Sequence, residues 1–410
     1  MSGIVLTAAV RQNLLSLQST ADLLATTQNR LSTGKKVNTA LDNPTNFFTA
    51  QGLDNRASDI NNLLDSIGNG VQVLQAANTG ITSLQKLVDT AKSIANQVLQ
   101  APTGYSSKAN VTTLAPAGAA PLNVPGTATD LTNAGTNSLQ GQALTFKTSS
   151  GTLSLTISNV AGAGKVNSID ALNTALTTAG VNLTASFNAA GTITFTSTND
   201  AASQVITNTG AAPVAAGIVD ISGGTAITGL TVTAAVADAA SQTIRSNLVS
   251  QYNNIITQIT TTSQDASFNG INLLNGDDLK LTFNETGKST LNIKGVTYNA
   301  AGLGLALLTS GTDFLDNNSA NATLTKISAA STTLRTEAST LGSNLSVVQI
   351  RQDFNKNLIN VLQTGSANLT LADTNEEAAN SQALSTRQSI AVSALALANQ
   401  SQQSVLKLLQ

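Results

Sequence analysis

VRQNLLSLQSTADLLATTQNRL (Val10–Leu31) and LSTRQSIAVSALALANQSQQSVLKLL (Leu384–Leu409) stand at opposite ends of the chain and carry one periodicity. In the first, Val10, Leu14, Leu17, Ala21, Leu24, Gln28 and Leu31 step alternately by four and three. In the second, Leu384, Gln388, Ala391, Leu395, Ala398, Gln402, Val405 and Leu409 do the same. A 4-3 spacing keeps one stripe turned toward a partner helix. Matching stripes at both ends predict that the termini meet in one bundle. Gln interrupts both seams, so a helix pair built on them is marginal alone and gains stability from neighbours.

The pattern continues inward. Leu53, Ala57, Ile60, Leu64, Ile67, Val71 and Leu74 form one stripe, and Leu84, Val88, Ala91, Ala95 and Val98 resume it after a shift of phase. Leu334, Ala338, Leu341, Leu345, Val348, Gln352, Asn355, Ile359 and Leu362 form another. Helices are therefore expected over 53–100 and 320–363. A helix over 239–262 is expected to bury Ile244, Leu248, Tyr252, Ile255 and Ile259. Leu279, Leu281 and Phe283, then Leu291, Ile293 and Val296, read as a hairpin turning at Glu285 to Lys288.

Proline divides the chain. Pro102, Pro116, Pro121, Pro125 and Pro213 lie within 101–237, and only Pro44 lies outside. Proline breaks helix interiors, so the ends are free to be helical and the middle is not. The charged residues of 101–237 are Lys108, Asp130, Lys147, Lys165, Asp170, Asp200 and Asp220. This stretch reads as an inserted α+β domain. Leu153, Leu155 and Ile157 alternate on one face. Leu183, Ala185 and Phe187 run into NAAG (Asn188–Gly191) and then Ile193 and Phe195, a hairpin. Between them Ser168 caps a short helix carrying Ile169, Leu172 and Leu176, stopped by Gly180. Tyr105, Phe146, Phe187 and Phe195 are expected in the core. The whole is a mainly α chain, a long antiparallel bundle with a small hairpin and an inserted α+β domain. The expected segments are 1–43, 44–100, 101–237, 238–318, 319–365 and 366–410.

Composition excludes much chemistry. There is no His and no Cys, so neither a Ser-His-Asp triad nor a His or Cys metal site can form. AGAGKV (Ala161–Val166) lacks the Ser or Thr that follows the lysine of a phosphate-binding loop. Asp277–Asp278 and Glu376–Glu377 fit solvated turn and helix-start carboxylates. The sequons at Asn110 and Asn182 name no site. Net charge is −2, which gives no pull toward nucleic acid. No apolar run is long enough for membrane insertion. Neither catalytic nor metal residues nor a cofactor are expected. The N-terminus is amphipathic, without a charged leader, and does not read as a cleaved signal peptide.

RLSTGKKVNTALDNP (Arg30–Pro44), AANTGITSLQKLVDTAKSIANQ (Ala76–Gln97), ASFNGINLLNG (Ala266–Gly276) and ALANQSQQSVLKLLQ (Ala396–Gln410) occur in this order. Together they resemble bacterial flagellin over roughly 1–100 and 239–410. The resemblance implies a secreted, non-enzymatic subunit that polymerises with itself into the flagellar filament for motility. Its implied partners are an export chaperone, the type III export apparatus, and the filament cap and hook-junction proteins. Val10, Leu14, Leu17, Leu24, Leu31, Leu395, Val405 and Leu409 would form the assembly seam. Two other readings are a hook–filament junction protein with flagellin-like ends, and a filament protein whose insertion binds a surface ligand.

The chain departs from the family in two places. Its large insertion lies before the second outer helix rather than after the hairpin, and it ends in Gln410 where a basic residue is common. The resemblance also points to a face that a vertebrate innate receptor reads. Here Lys86, Val88 and Thr90 stand where two Arg and a Leu would lie and Gln251 where a Glu would, while Asp89 keeps the acid, which implies weak recognition.

Overall fold

The computed structural model describes residues 8–112, 131, 139–187, 192–210, 217–223 and 230–408. In chain order these form α1 (Ala8–Thr33), α2 (Pro44–Gln100), β1 (Tyr105–Ser107), β2 (Asn110–Thr112), β3 (Ala143–Thr148), β4 (Gly151–Ile157) and β5 (Lys165–Val166). Next come α3 (Ile169–Thr178), β6 (Leu183–Phe187), β7 (Ile193–Ser197), β8 (Val205–Thr207), β9 (Ile218–Gly223), β10 (Thr231–Thr233) and β11 (Val236–Ala237). The chain finishes with α4 (Ala239–Asp265), β12 (Leu279–Thr282), β13 (Thr290–Ile293), α5 (Asn317–Thr370) and α6 (Thr374–Leu408).

Polar residues set the helix starts. Asn43 accepts the Asn46 amide at 3.0 Å just before Pro44, whose missing N–H costs nothing at the first helical position. Asp238 accepts the Ser241 amide, Asp316 the Ser319 amide and Asp373 the Asn375 amide, so α4, α5 and α6 each begin on a capping aspartate. Ser168 accepts the Ala171 amide and caps α3, and Gly180 stops it at φ +67°.

Two compact units emerge. The first takes the chain up to Gln72, Leu279–Ile293, and everything from Asn344 on. In it α1 pairs with α6. Ala57 and Ile60 of α2 share a core with Ile359 and Leu362 of α5. β12 and β13 pair antiparallel, Leu279 opposite Ile293. Gly70 leaves room on α2 for Leu281, where any Cβ would clash with the leucine's methyl groups. Asn355 donates to the Phe283 carbonyl at 3.0 Å, and Arg351 lies 5.7 Å from that ring's centroid. Arg56 meets Glu285 at 2.8 Å. The helical stripes of α2 and α5 thus face inward, as their spacing implies.

The second unit holds the rest of α2 and α5, α4, and the insertion. Ile81, Leu84, Val88, Ala91, Ala95 and Val98 are buried. The insertion has its own core, drawn from residues 109–235, with Phe146 and Phe195 edge to face at 5.4 Å. One sheet has strand order β10-β2-β7-β6, the other β5-β4-β3-β9-β8. β1 and β11 pair where the chain enters and leaves.

Three details differ from the sequence reading. Ile244 is 47% exposed, and Arg245 beside it is buried in its place. Val296 is 46% exposed instead of sharing the hairpin's inner face. β8 and β10 span three residues each, and β9 mixes polar with apolar positions, so none announces itself as a strand. NAAG lies outside the described residues, as does anything about the Phe187 side chain.

Candidate assembly surface

Asn13, Leu17, Ala21 and Leu24 of α1 are half-buried, and Val10, Thr20 and Thr27 are buried. Opposite them, Leu384, Gln388, Ala391, Leu395 and Ala398 of α6 are half-buried. Other leucines of α1 point outward. Leu15 is 63% exposed, Leu23 51% and Leu14 45%, and Leu31 is exposed too. On α6, Ile390, Val392 and Leu397 are also exposed. The contact inside the pair takes up Thr20 and Thr27 beside Val10 and the half-buried Leu17, Leu24, Leu384 and Leu395, while other bulky apolar side chains stay in water. A shallow groove of about 410 Å³ runs along Leu15, Gln18, Ser19, Asp22, Leu23 and Thr26.

Of the seam residues read from the sequence, Val10, Leu17, Leu24 and Leu395 lie on the inner side of the pair. Leu14 and Leu31 do not: both are exposed. The reason is the phase of the stripe. Asn13 and Thr27 turn inward where Leu14 and Gln28 were expected, and Thr20 is buried beside the half-buried Ala21, so the inner stripe is shifted by part of a residue step. Val405 is described only as part of α6, and Leu409 lies outside the described residues.

The base of the pair is fastened by backbone. Lys36 N–H donates to the Thr370 carbonyl at 2.7 Å, and Ala372 N–H to the Gly34 carbonyl at 3.0 Å. Arg30 and Glu377 meet at 3.3 Å. Asp42 accepts the Asn38 and Thr39 amides, and these bonds hold its carboxyl below the ordinary range. The segments joining α1 to α2 and α5 to α6 thus run together.

The second candidate face is broken. Lys86, Asp89, Thr90 and Gln251 are exposed, but Val88 is wholly buried in the α2 seam and is available to no partner. Thr90 donates its hydroxyl to the Lys86 carbonyl at 2.9 Å. The acidic pairs behave as turn and helix-start residues. Asp277 accepts the Asn272 amide and Asp278 the Gly295 amide, and Glu376 and Glu377 open α6. Among the described residues no three His, Cys, Asp or Glu gather to hold a metal. No described helix is long and apolar enough to cross a membrane.

Comparison with known proteins falls on these same ends. The bacterial flagellin N-terminal helical region matches residues 5–115, and the C-terminal helical region matches 324–409. Flagellin FljM of Caulobacter vibrioides is 32% identical over 163 residues, 39% of this chain and 58% of that protein. Flagellin FljK of the same organism is 34% identical over 164 residues, again 39% and 58%. Flagellin A of Rhizobium meliloti is 33% identical over 122 residues, 30% of this chain and 27% of that protein. The chain thus spans 58% of the length of the Caulobacter relatives.

Proposed function

We propose that this chain, whose two ends match the terminal helical regions of bacterial flagellin, is a structural subunit that polymerises with copies of itself into the flagellar filament. It works outside the cell and carries out no catalysis. The observation that supports this reading is the outer face of the α1–α6 pair, which leaves Leu14, Leu15, Leu23, Ile390, Val392 and Leu397 in water. Burying one such side chain fully is worth about 1.5–3 kcal/mol, so a monomer forgoes this term and a neighbour's helix supplies it. A chain exposing this much apolar surface at its ends also needs covering before assembly. An export chaperone and the type III export apparatus fit that need, and the cap and hook-junction proteins would receive the subunit outside.

Seeded polymerisation tests the proposal. Purified monomer added to short filament seeds is expected to lengthen them, visible by negative-stain microscopy. Monomer that remains dispersed, or that stops after a single ring on the seed, would point to a junction protein or to another role altogether.

A further inference from the structure

Arg245 of α4 is 1% exposed, in a chain where charge is scarce. Its donors reach three carbonyls from two separate stretches of chain. Nε donates to Pro102 O at 2.7 Å, Nη2 to Ala101 O at 3.2 Å and Nη1 to Phe314 O at 2.7 Å. Ala101 and Pro102 are where the chain leaves α2 for the insertion. Phe314 lies two residues before the cap of α5. Phe314 is itself buried, holds φ +60°, and sets its ring edge-on to Tyr252 at 5.9 Å. A bulky residue keeps that conformation only where its surroundings over-determine it.

The insertion's two crossing chains meet at this point. Asp238 N–H donates to Gly104 O at 3.0 Å, and Tyr105 pairs with Ala237. Gly104 sits tightly there: an added Cβ would stand 3.3 Å from both Gln242 Cγ and Leu315 O. A second strap comes from the insertion's body, where Ser203 donates to Asp316, the buried cap of α5. Yet the insertion's buried core lies within residues 109–235 and takes no residue from α2, α4 or α5.

We propose that Arg245 is the mounting residue of the insertion, fixing the domain's orientation by gathering its entry chain and the approach to α5 onto α4. Without it the insertion stays folded and swings on the β1–β11 neck. The guanidinium suits the task because its planar fork spans several acceptors at once, which an ammonium does not. The inference concerns the monomer and stands apart from the assembly reading.

The chain has no Cys, so paired spin labels can be placed without background. Lys92→Cys on α2 and Asp170→Cys on α3 put them at exposed positions on either side of the mount. Pulsed dipolar spectroscopy of the full-length monomer is expected to give one narrow distance distribution. Arg245→Met is expected to lose that narrow peak while the insertion's own melting transition and the helical circular dichroism persist. A merely stabilising arginine would shift the melt and leave the distribution narrow, which overturns the proposal. So would a broad distribution in the parent. Should Arg245→Met not fold, Arg245→Lys keeps charge and stem and decides instead: broadening supports the mount, and an unchanged narrow peak overturns it.

Discussion

Gly70 on α2 and Leu281 on β12 touch so closely that no side chain fits between them: a Cβ at Gly70 would fall inside the leucine's methyl groups. The helix gives up propensity there to seat the hairpin. Gly70→Ala is expected to destabilise the protein by about 1–3 kcal/mol through overpacking, read as a lowered denaturant midpoint. Gly52 on the same helix has open space around it, and Gly52→Ala is expected to stabilise by about 0.5–1 kcal/mol. Equal effects at the two positions would mean that the hairpin is not seated on Gly70.

The termini drive assembly in the proposed function. Deleting 1–31 or 384–410 is expected to leave a soluble monomer whose 53–362 helices keep their circular dichroism. The double variant Leu15→Ser, Leu23→Ser is sharper. Both leucines are exposed in the monomer, so its stability should change by no more than about 0.5 kcal/mol per site while seeded elongation is lost. Normal filaments from either deletion, or from the double variant, would overturn the role given to α1 and α6.

The insertion folds on its own core and is expected to be dispensable for polymerisation. Removing 103–236 and joining α2 to α4 by a short linker should still give filaments, thinner ones by electron microscopy. A deletion protein that is folded and soluble yet never elongates seeds would assign the insertion a place in the lattice.

Asp220 supplies a pH dependence. Burial alone would raise its carboxyl, but hydrogen bonds from the Thr207 and Thr209 hydroxyls and the Thr209 and Gly210 amides outweigh it, leaving the group below its ordinary 3.8. A depressed carboxyl contributes stability that is complete above the ordinary value and is lost as pH falls through the lowered one. The insertion's melting temperature is therefore expected to hold down to about pH 4 and drop below it. Asp220→Asn should cost about 1–3 kcal/mol at neutral pH, because an amide cannot accept from all four donors, and should flatten the acid dependence. An acid limb unchanged in that variant would assign it to other groups.

Detection by the vertebrate innate receptor is expected to be weak. Lys86 lacks the planar donors, Thr90 the apolar contact and Gln251 the second acid that the family's recognised face carries; Asp89 keeps its acid, and Val88 is buried. Each such loss at an interface centre costs about 1 kcal/mol or more. Reporter cells titrated with monomer should respond only at concentrations well above those needed for a strongly detected flagellin. Half-maximal response at equal concentration would show that another face is read.

Sequence periodicity alone reached the long helices, the end-to-end pairing of α1 with α6, the Ser168 cap, the β12–β13 hairpin and the separate character of the insertion. These follow from local rules: side-chain spacing, proline placement and capping act within a few residues, so they are written in order along the chain. Three things needed the tertiary structure. Which residue of a heptad turns inward on α1 depends on the partner helix, and Asn13 and Thr27 displaced Leu14 and Gln28. The burial of Arg245 next to an exposed Ile244 depends on carbonyls at Ala101, Pro102 and Phe314, more than sixty residues away, that no periodicity encodes. Asp220 is buried because a loop thirteen to ten residues upstream folds its donors over it. A polar side chain reads as solvent-facing until its partners are brought to it, and long-range chain closure alone decides where those partners stand.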